Sequence, residues 1–268
     1  MSGSDLRLVL VGWGAIGRRV AALLAERGAP VQIVAVGLRD ASRVRNLPQG
    51  AEILTDPAEL ASVSADLVVE AAGRDCVADW GHAALTAGHD FAVSSTSAFV
   101  DEALFAELLA LAKAKRAHLI IPPGALGGMD ALSAASRLPL RSVRHEIIKP
   151  PAAWKGTGAA ALCDLDALTT AHIFFEGTAR EAADEYPKNA NVAVISALAG
   201  IGLDRTTIAL VADPGADMNS HSVTAEGDFG RMEIRLDNRP LATNPKSSEM
   251  TALSLVRLIE TRAGGLVI

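Results

Sequence analysis

Apolar and polar positions follow two different rhythms along this chain, and the change between them comes near residue 122. Before it, short apolar runs alternate with longer helix-forming stretches. Leu8–Val11, Val31–Val36, Glu52–Leu54, Ala65–Glu70, Phe91–Val93 and His118–Ile121 read as six strands. Between them, Arg18–Ala25, Asp56–Leu60, residues 75–87 and residues 101–114 read as helices. Strands without internal polar alternation suit a sheet covered on both faces, and strict βα order suits a parallel one. This half of the chain is expected to be a doubly wound α/β sheet.

Pro122-Pro123-Gly124-Ala125-Leu126-Gly127-Gly128-Met129-Asp130 cannot continue either element and marks a crossover. Beyond it the order is strand (Ser142–Ile148), strand (Ile173–Glu176), helices (178–184 and 191–200), then strands at Thr207–Ala212, Ser222–Ala225 and Arg231–Leu236. That order predicts a mixed or antiparallel sheet in an α+β domain. Ser247 or Ser248 can cap a final helix, Glu249–Arg262, expected to pack back on the first domain. The predicted organisation is a dinucleotide-binding domain over residues 1–122, joined by the C-terminal helix of residues 245–268, and a substrate domain over 123–244.

The dinucleotide reading comes from the first turn. Gly12-Trp13-Gly14-Ala15-Ile16-Gly17 is a Gly-x-Gly-x-x-Gly leading directly from strand to helix. In that context Gly12 makes the turn, Gly14 admits a pyrophosphate to the backbone, and Gly17 lets helix and strand pack closely. The pyrophosphate would sit on the N–H groups at the positive end of the helix. A glycine-rich turn without a ligand is the plainer alternative. Ala71-Ala72-Gly73, at the end of the fourth strand, are small, as a cofactor crossing the sheet requires. The expected architecture is a Rossmann sheet with a second α+β mixed-sheet domain. Gly12, Gly14, Ala15, Ile16, Gly17, Arg39 and Ala72 are its candidate cofactor residues.

The end of the second strand bears on which cofactor. An acid that would hold a ribose 2′-hydroxyl is expected there, but the chain has Gly37-Leu38-Arg39-Asp40. A 2′-phosphate would meet a cation, so NADP is admissible beside NAD. Asp40 could still serve the hydroxyl, or simply cap a short helix at Ala41–Arg43.

Composition narrows the class. The chain has 268 residues, half of them hydrophobic, with a net charge of −6, which disfavours a nucleic-acid or anionic-membrane partner. No apolar run reaches membrane-spanning length, and the first residues lack the pattern of a secretory signal, so a cytoplasmic location is expected. Cys76 and Cys163 are too few and too far apart for a disulfide framework or metal site.

Of the six histidines, His82, His89, His118 and His145 read as structural or solvated, and His172 is ambiguous. His221 ends the polar stretch Asp213–Ser220 at the start of a strand, where loops carry catalytic groups. With an ordinary pKa of about 6.5 it suits proton transfer, although a capping or solvated histidine remains open. Tyr186-Pro187-Lys188-Asn189-Ala190-Asn191 and Asn244-Pro245-Lys246-Ser247-Ser248 each place Lys and Asn before a helix. Both suit an anion at a helix N-terminus or plain capping.

Together these segments resemble the L-aspartate dehydrogenases. The resemblance runs through Gly12–Gly17, Pro123–Gly128, Lys149-Pro150-Pro151-Ala152-Ala153-Trp154, Phe175–Ala179, Tyr186–Ala193, Asn219-Ser220-His221 and Asn244–Ser248. It implies oxidative deamination of L-aspartate with NAD or NADP to iminoaspartate, then oxaloacetate and ammonia or NAD biosynthesis. It also implies an active-site role for His221 and cofactor contacts at Ala125 and Asn191. A small dicarboxylic amino acid needs placed cations in an acidic protein, and Lys188, Lys246 or Lys149 could serve, with Asn219 beside them. A homodimer is the expected assembly. The alternatives are a related two-domain oxidoreductase, of the homoserine dehydrogenase or dihydrodipicolinate reductase type, and a non-catalytic NADPH sensor.

Overall fold

The computed structural model describes residues 5–43, 46–187, 189–264 and 266–267, and it divides into two compact units, 1–122 with 251–268, and 123–250. In the first unit the elements are β1 (Leu6–Val11), α1 (Ala15–Glu26), β2 (Val31–Gly37), β3 (Glu52–Leu54), β4 (Leu67–Glu70), α2 (Val77–Thr86), β5 (Asp90–Val93), α3 (Glu102–Lys115) and β6 (Leu119–Ile120). The six strands form one sheet in the order β3-β2-β1-β4-β5-β6, all parallel. The order reverses beside β1, which is where ligands bind in open α/β sheets. Leu8–Val11 and Leu67–Glu70 are fully buried, which explains why these strands read as unbroken apolar runs.

The second unit comprises α4 (Met129–Ala135), β7 (Leu140–Lys149), α5 (Ala159–Leu162), β8 (His172–Thr178), α6 (Ala179–Glu185), α7 (Ala190–Ala199), β9 (Thr207–Ala212), β10 (Asn219–Gly227), β11 (Gly230–Asn238) and a small hairpin of β12 (Pro240–Leu241) and β13 (Asn244–Ser248). Its main sheet has the order β11-β10-β7-β9-β8, antiparallel except for the parallel β7–β9 pair. On β7 the buried positions Val143, His145 and Ile147 alternate with the partly exposed Arg144 and Glu146, so one face of the sheet is covered. Helix α7 lies on that face: a Cβ at Gly200, just past its end, would come within 3.1 Å of the Val143 side chain.

The last helix, α8 (Glu249–Ala263), joins the first unit's core. Its Ala252, Leu255, Val256 and Ile259 pack with Leu8, Leu10, Val20 and Leu24. A bidentate Arg27–Glu260 pair, 2.6 and 3.0 Å, and an Arg262–Asp90 pair flank this contact. Ser248 Oγ accepts the Met250 N–H at 3.2 Å, so the serine cap is present. The polar stretch before it differs from the helix start read in the sequence, because Asn244–Ser248 forms β13 against β12.

Two further boundaries shift. Helix α1 begins at Ala15, so Gly17 lies inside its first turn. The strand read at Ser222–Ala225 starts at Asn219, which moves His221 out of a loop and into β10.

Candidate active site

The glycines of the first turn divide their work in the way their spacing requires. Gly12 has φ +101°, and a Cβ on it would meet the Ala71 and Ala72 backbone at 2.8 Å. A Cβ on Gly17 would lie 2.2 Å from the Gly12 carbonyl oxygen, so only glycine lets α1 approach β1. Gly14, the N-cap of α1, has no atom within 4 Å of the same position and makes no side-chain cap, leaving open backbone at the helix start. Such a turn fits a dinucleotide pyrophosphate. Ala15 and Ile16 open the helix beside it.

The next turn is built by a residue that the sequence did not single out. Glu70, buried at the end of β4, accepts the Ala72 and Gly73 N–H groups with Oε1 (2.7 and 2.8 Å) and the Ser95 N–H with Oε2 (2.9 Å). The Ser95 hydroxyl adds a fourth bond at 2.8 Å. One carboxylate therefore holds the loops after β4 and β5 together, and satisfaction by several donors is what makes its burial tolerable. An acid ending an apolar strand before three small residues was the available signal.

At the end of β2, Gly37 is packed rather than vacant: a Cβ there would sit 2.7 Å from the Trp80 ring, which excludes a carboxylate side chain. Asp40 accepts the Ser42 N–H and hydroxyl at 3.0 and 2.6 Å, so it caps the 3-10 turn Ala41–Arg43. Arg39 is exposed; burial, then the Glu70 carboxylate, pushes the Cys76 thiol up against the opposing pull of the arginine charge.

In the second unit, three elements bring a polar cluster onto the buried face of the sheet. His221 of β10 pairs across the ladder with Ile147, so His145, two residues back on β7, is its diagonal neighbour on the same face. His145 Nε2 lies 3.1 Å from His221 Nδ1, and His145 Nδ1 lies 3.0 Å from the Ser196 hydroxyl on α7. His145 is fully buried and His221 is 5% exposed. Of the two readings the sequence left for His145, structural or solvated, burial excludes the solvated one, because α7 covers its face of the sheet.

Lys149 continues the row at the end of β7. Its ammonium donates to Asn189 Oδ1 at 2.5 Å and stands 5.1 Å from the centre of the Trp154 ring. Burial lowers its pKa from 10.5 to about 8. Burial, and next the nearby Lys149 charge, push His221 from its ordinary value down to about 3. His145 is held well below its usual value by burial and then by His221. His221 is therefore neutral throughout the ordinary pH range, not poised near 6.5 as an exposed histidine would be.

Asn189 precedes α7 but makes no cap bond; its side chain turns to Lys149 instead. Asn219 lies two residues before His221 on β10, opposite Asn238, whose Nδ2 donates to the Ala125 carbonyl at 2.8 Å. Ala125 and the Asn219–His221 segment are thereby joined through β11. Asn191 is exposed in the first turn of α7. Lys188 lies outside the described residues, as does the side chain of Lys246, whose backbone belongs to β13. Among the described residues no cluster of three metal-ligating side chains occurs, and no helix is long and apolar enough to cross a membrane.

The chain as a whole has known relatives. Residues 130–262 match the family described as aspartate dehydrogenase, C-terminal, and residues 12–122 match the homoserine dehydrogenase NAD-binding domain. The chain is 65% identical to an L-aspartate dehydrogenase of Brucella anthropi over 97% of its length and 98% of that protein. An L-aspartate dehydrogenase of Serratia proteamaculans is 39% identical, with 94% and 95% covered. Among solved structures, aspartate dehydrogenase from Thermotoga maritima superposes with a TM-score of 0.78 at 25% identity, covering 98% of this chain and 99% of that one. A nicotinamide-binding Rossmann unit joined to this C-terminal domain along the whole chain makes the protein a member of the L-aspartate dehydrogenase family, a nicotinamide-dependent amino-acid dehydrogenase.

Proposed function

We propose that the protein oxidatively deaminates L-aspartate with NAD or NADP, giving iminoaspartate, which water converts to oxaloacetate and ammonia. The observation that carries this reading is the half-buried Lys149, bonded to the buried Asn189, beside a neutral His221. Lys149 offers a desolvated cation to one substrate carboxylate, worth more there than a solvated lysine would be. Asn219, on the strand that carries His221, is a candidate ligand for the same substrate, as are Lys188 and Lys246.

His221 holds a free lone pair at neutral pH and takes the proton from the α-ammonium of aspartate, leaving the amine whose nitrogen pair drives the C2 hydrogen out as hydride. When bound, the nicotinamide supplies the hydride acceptor. The substrate itself tunes the base: a carboxylate paired with Lys149 offsets the charge that depresses His221, so basicity rises as the site fills. Once it has passed that proton to solvent, the same imidazole can help to deprotonate the water that adds to the imine. Gly12, Gly14, Ala15, Ile16, Gly17 and Ala72 would hold the dinucleotide backbone, Arg39 a 2′-phosphate, and Ala125 and Asn191 further parts of the cofactor. Arg39 supports use of NADP at least comparable to that of NAD.

The test is cofactor reduction with a panel of amino acids and each dinucleotide, with ammonia and oxaloacetate measured in the same samples. We expect turnover with L-aspartate, and one ammonia and one oxaloacetate for each cofactor reduced. Turnover confined to homoserine or a cyclic dicarboxylate, or none at all, would replace this reading with one of the alternatives.

A further inference from the structure

The His145–His221 contact contains more information than proximity. Each imidazole here is neutral and has one N–H, so the hydrogen bond between His145 Nε2 and His221 Nδ1 has one donor and one acceptor. The far end of the chain decides which. Ser196 Oγ donates its only proton to the Ala193 carbonyl at 3.0 Å, so toward His145 it can only accept. His145 must then have its proton on Nδ1, 3.0 Å from that oxygen, which leaves Nε2 bare. His221 in turn must donate from Nδ1 to His145, which leaves its own Nε2 without a proton.

The opposite direction would turn the serine proton to His145, put N–H on His145 Nε2, and place the His221 proton on Nε2. It forgoes the bond to Ala193, so within this buried cluster it makes one hydrogen bond fewer. The two orders are not equivalent for chemistry, because only the first presents a lone pair at His221 Nε2.

We propose that His145 is a positioning residue for the dehydrogenase reaction: with Ser196 it locks His221 in the tautomer protonated at Nδ1, so that Nε2 is the proton acceptor. It rests on the reading of His221 as that acceptor. A carboxylate in the same place would hold the same tautomer and also raise the basicity of His221; a neutral imidazole holds the tautomer without adding charge beside a bound dicarboxylate. The sequence hides this arrangement because the three residues are 25 to 76 positions apart, and their order depends on β7, β10 and α7 meeting on one face.

The experiment uses the full chain labelled with 15N-histidine. Long-range 15N–1H correlation identifies the tautomer of His221, with the His221→Ala spectrum assigning its signals. We expect a proton on Nδ1 and a pyridine-like Nε2 in the wild type. His145→Phe should populate both tautomers and lower kcat about tenfold or more with KM for aspartate little changed, as loss of the correct tautomer does elsewhere. His145→Gln, whose amide oxygen can accept from Nδ1, should restore the tautomer and most of kcat. Ser196→Ala, which removes only a hydroxyl, is the variant for the case in which the phenylalanine is not accommodated; it should also shift His221 toward the Nε2–H form. A proton on Nε2 in the wild type, or an unaltered tautomer and kcat in the folded variants, would overturn the proposal. Full activity of His221→Ala would instead overturn the acceptor reading, while the NMR result would still judge the tautomer lock.

Discussion

His221 and Arg39 occupy opposite extremes of environment, and each makes a separable prediction. His221 is enclosed and neutral, so replacing it should harm proton transfer without disturbing the glycine turn proposed to bind the dinucleotide. His221→Ala is expected to lower kcat by about 10²–10⁴-fold, with cofactor Kd nearly unchanged in fluorescence titration. Because its pKa in the free enzyme is about 3, neither form should show an inflection near 6.5 in kcat/KM attributable to this residue. A variant within a few-fold of wild type would make the histidine structural. Arg39, exposed just past the end of β2, is the residue proposed to meet a 2′-phosphate. Arg39→Ala should weaken NADP by about 1.5–3 kcal/mol, one charge-assisted hydrogen bond, and leave NAD almost unaffected. Equal losses for both would remove Arg39 from that contact. Asp40, engaged with Ser42, is already occupied as a cap.

Among the elements, α8 and the β7–β10 pair show how differently sequence patterns translate. Helix α8 was legible from its serine cap, and its buried stripe reaches the core beside β1 and α1. Leu255 is fully buried there, so Leu255→Ala should cost about 2–5 kcal/mol in urea unfolding, through lost burial and the cavity left behind. A loss below about 1 kcal/mol would mean that the helix is not part of that core. The β7–β10 pair was found as two strands, but the start of β10 was placed three residues late. Asn219, Ser220 and His221 are polar, and polar residues in a run usually mark a loop. They are in a strand here because both neighbours, β7 and β11, supply hydrogen-bonding partners along it.

For the molecule as a whole, burial of neutral histidines ties stability to pH. The folded pKa of His221 lies below its unfolded value, so between about 3 and 6.5 the unfolded chain binds more protons than the folded one. Stability therefore rises with pH through that window, is fully present above it, and falls as the medium is acidified. The shift corresponds to about 5 kcal/mol, and His145 acts in the same direction. Lys149 has the same sign at the other end: its burial destabilises the fold below about 8, and that cost is relieved as pH rises to about 10.5. Urea unfolding of wild type and His221→Ala, measured between pH 3.5 and 7 on the scale set by ordinary histidine titration, should show a flatter dependence for the variant. Equal slopes would exclude the buried imidazole as the cause.

Features that depend on neighbours a few residues apart were legible in the chain before any fold was known. The βα rhythm up to Ile121, its loss after Pro122, and the assignment of Gly12, Gly14 and Gly17 to turn, approach and packing are local, because strand, helix and turn preferences act over a few residues. The tertiary structure alone decided the partners. Glu70 became the anchor of two loops because β4 and β5 are adjacent, and Gly37 is glycine because Trp80 of α2 lies against it. His145 was indistinguishable from an ordinary strand histidine until α7 covered it and β10 brought His221 to its side. Burial, charge proximity and hydrogen-bond direction arise between segments far apart in the chain. They set whether an imidazole is solvated or enclosed, and no periodicity in the sequence records them.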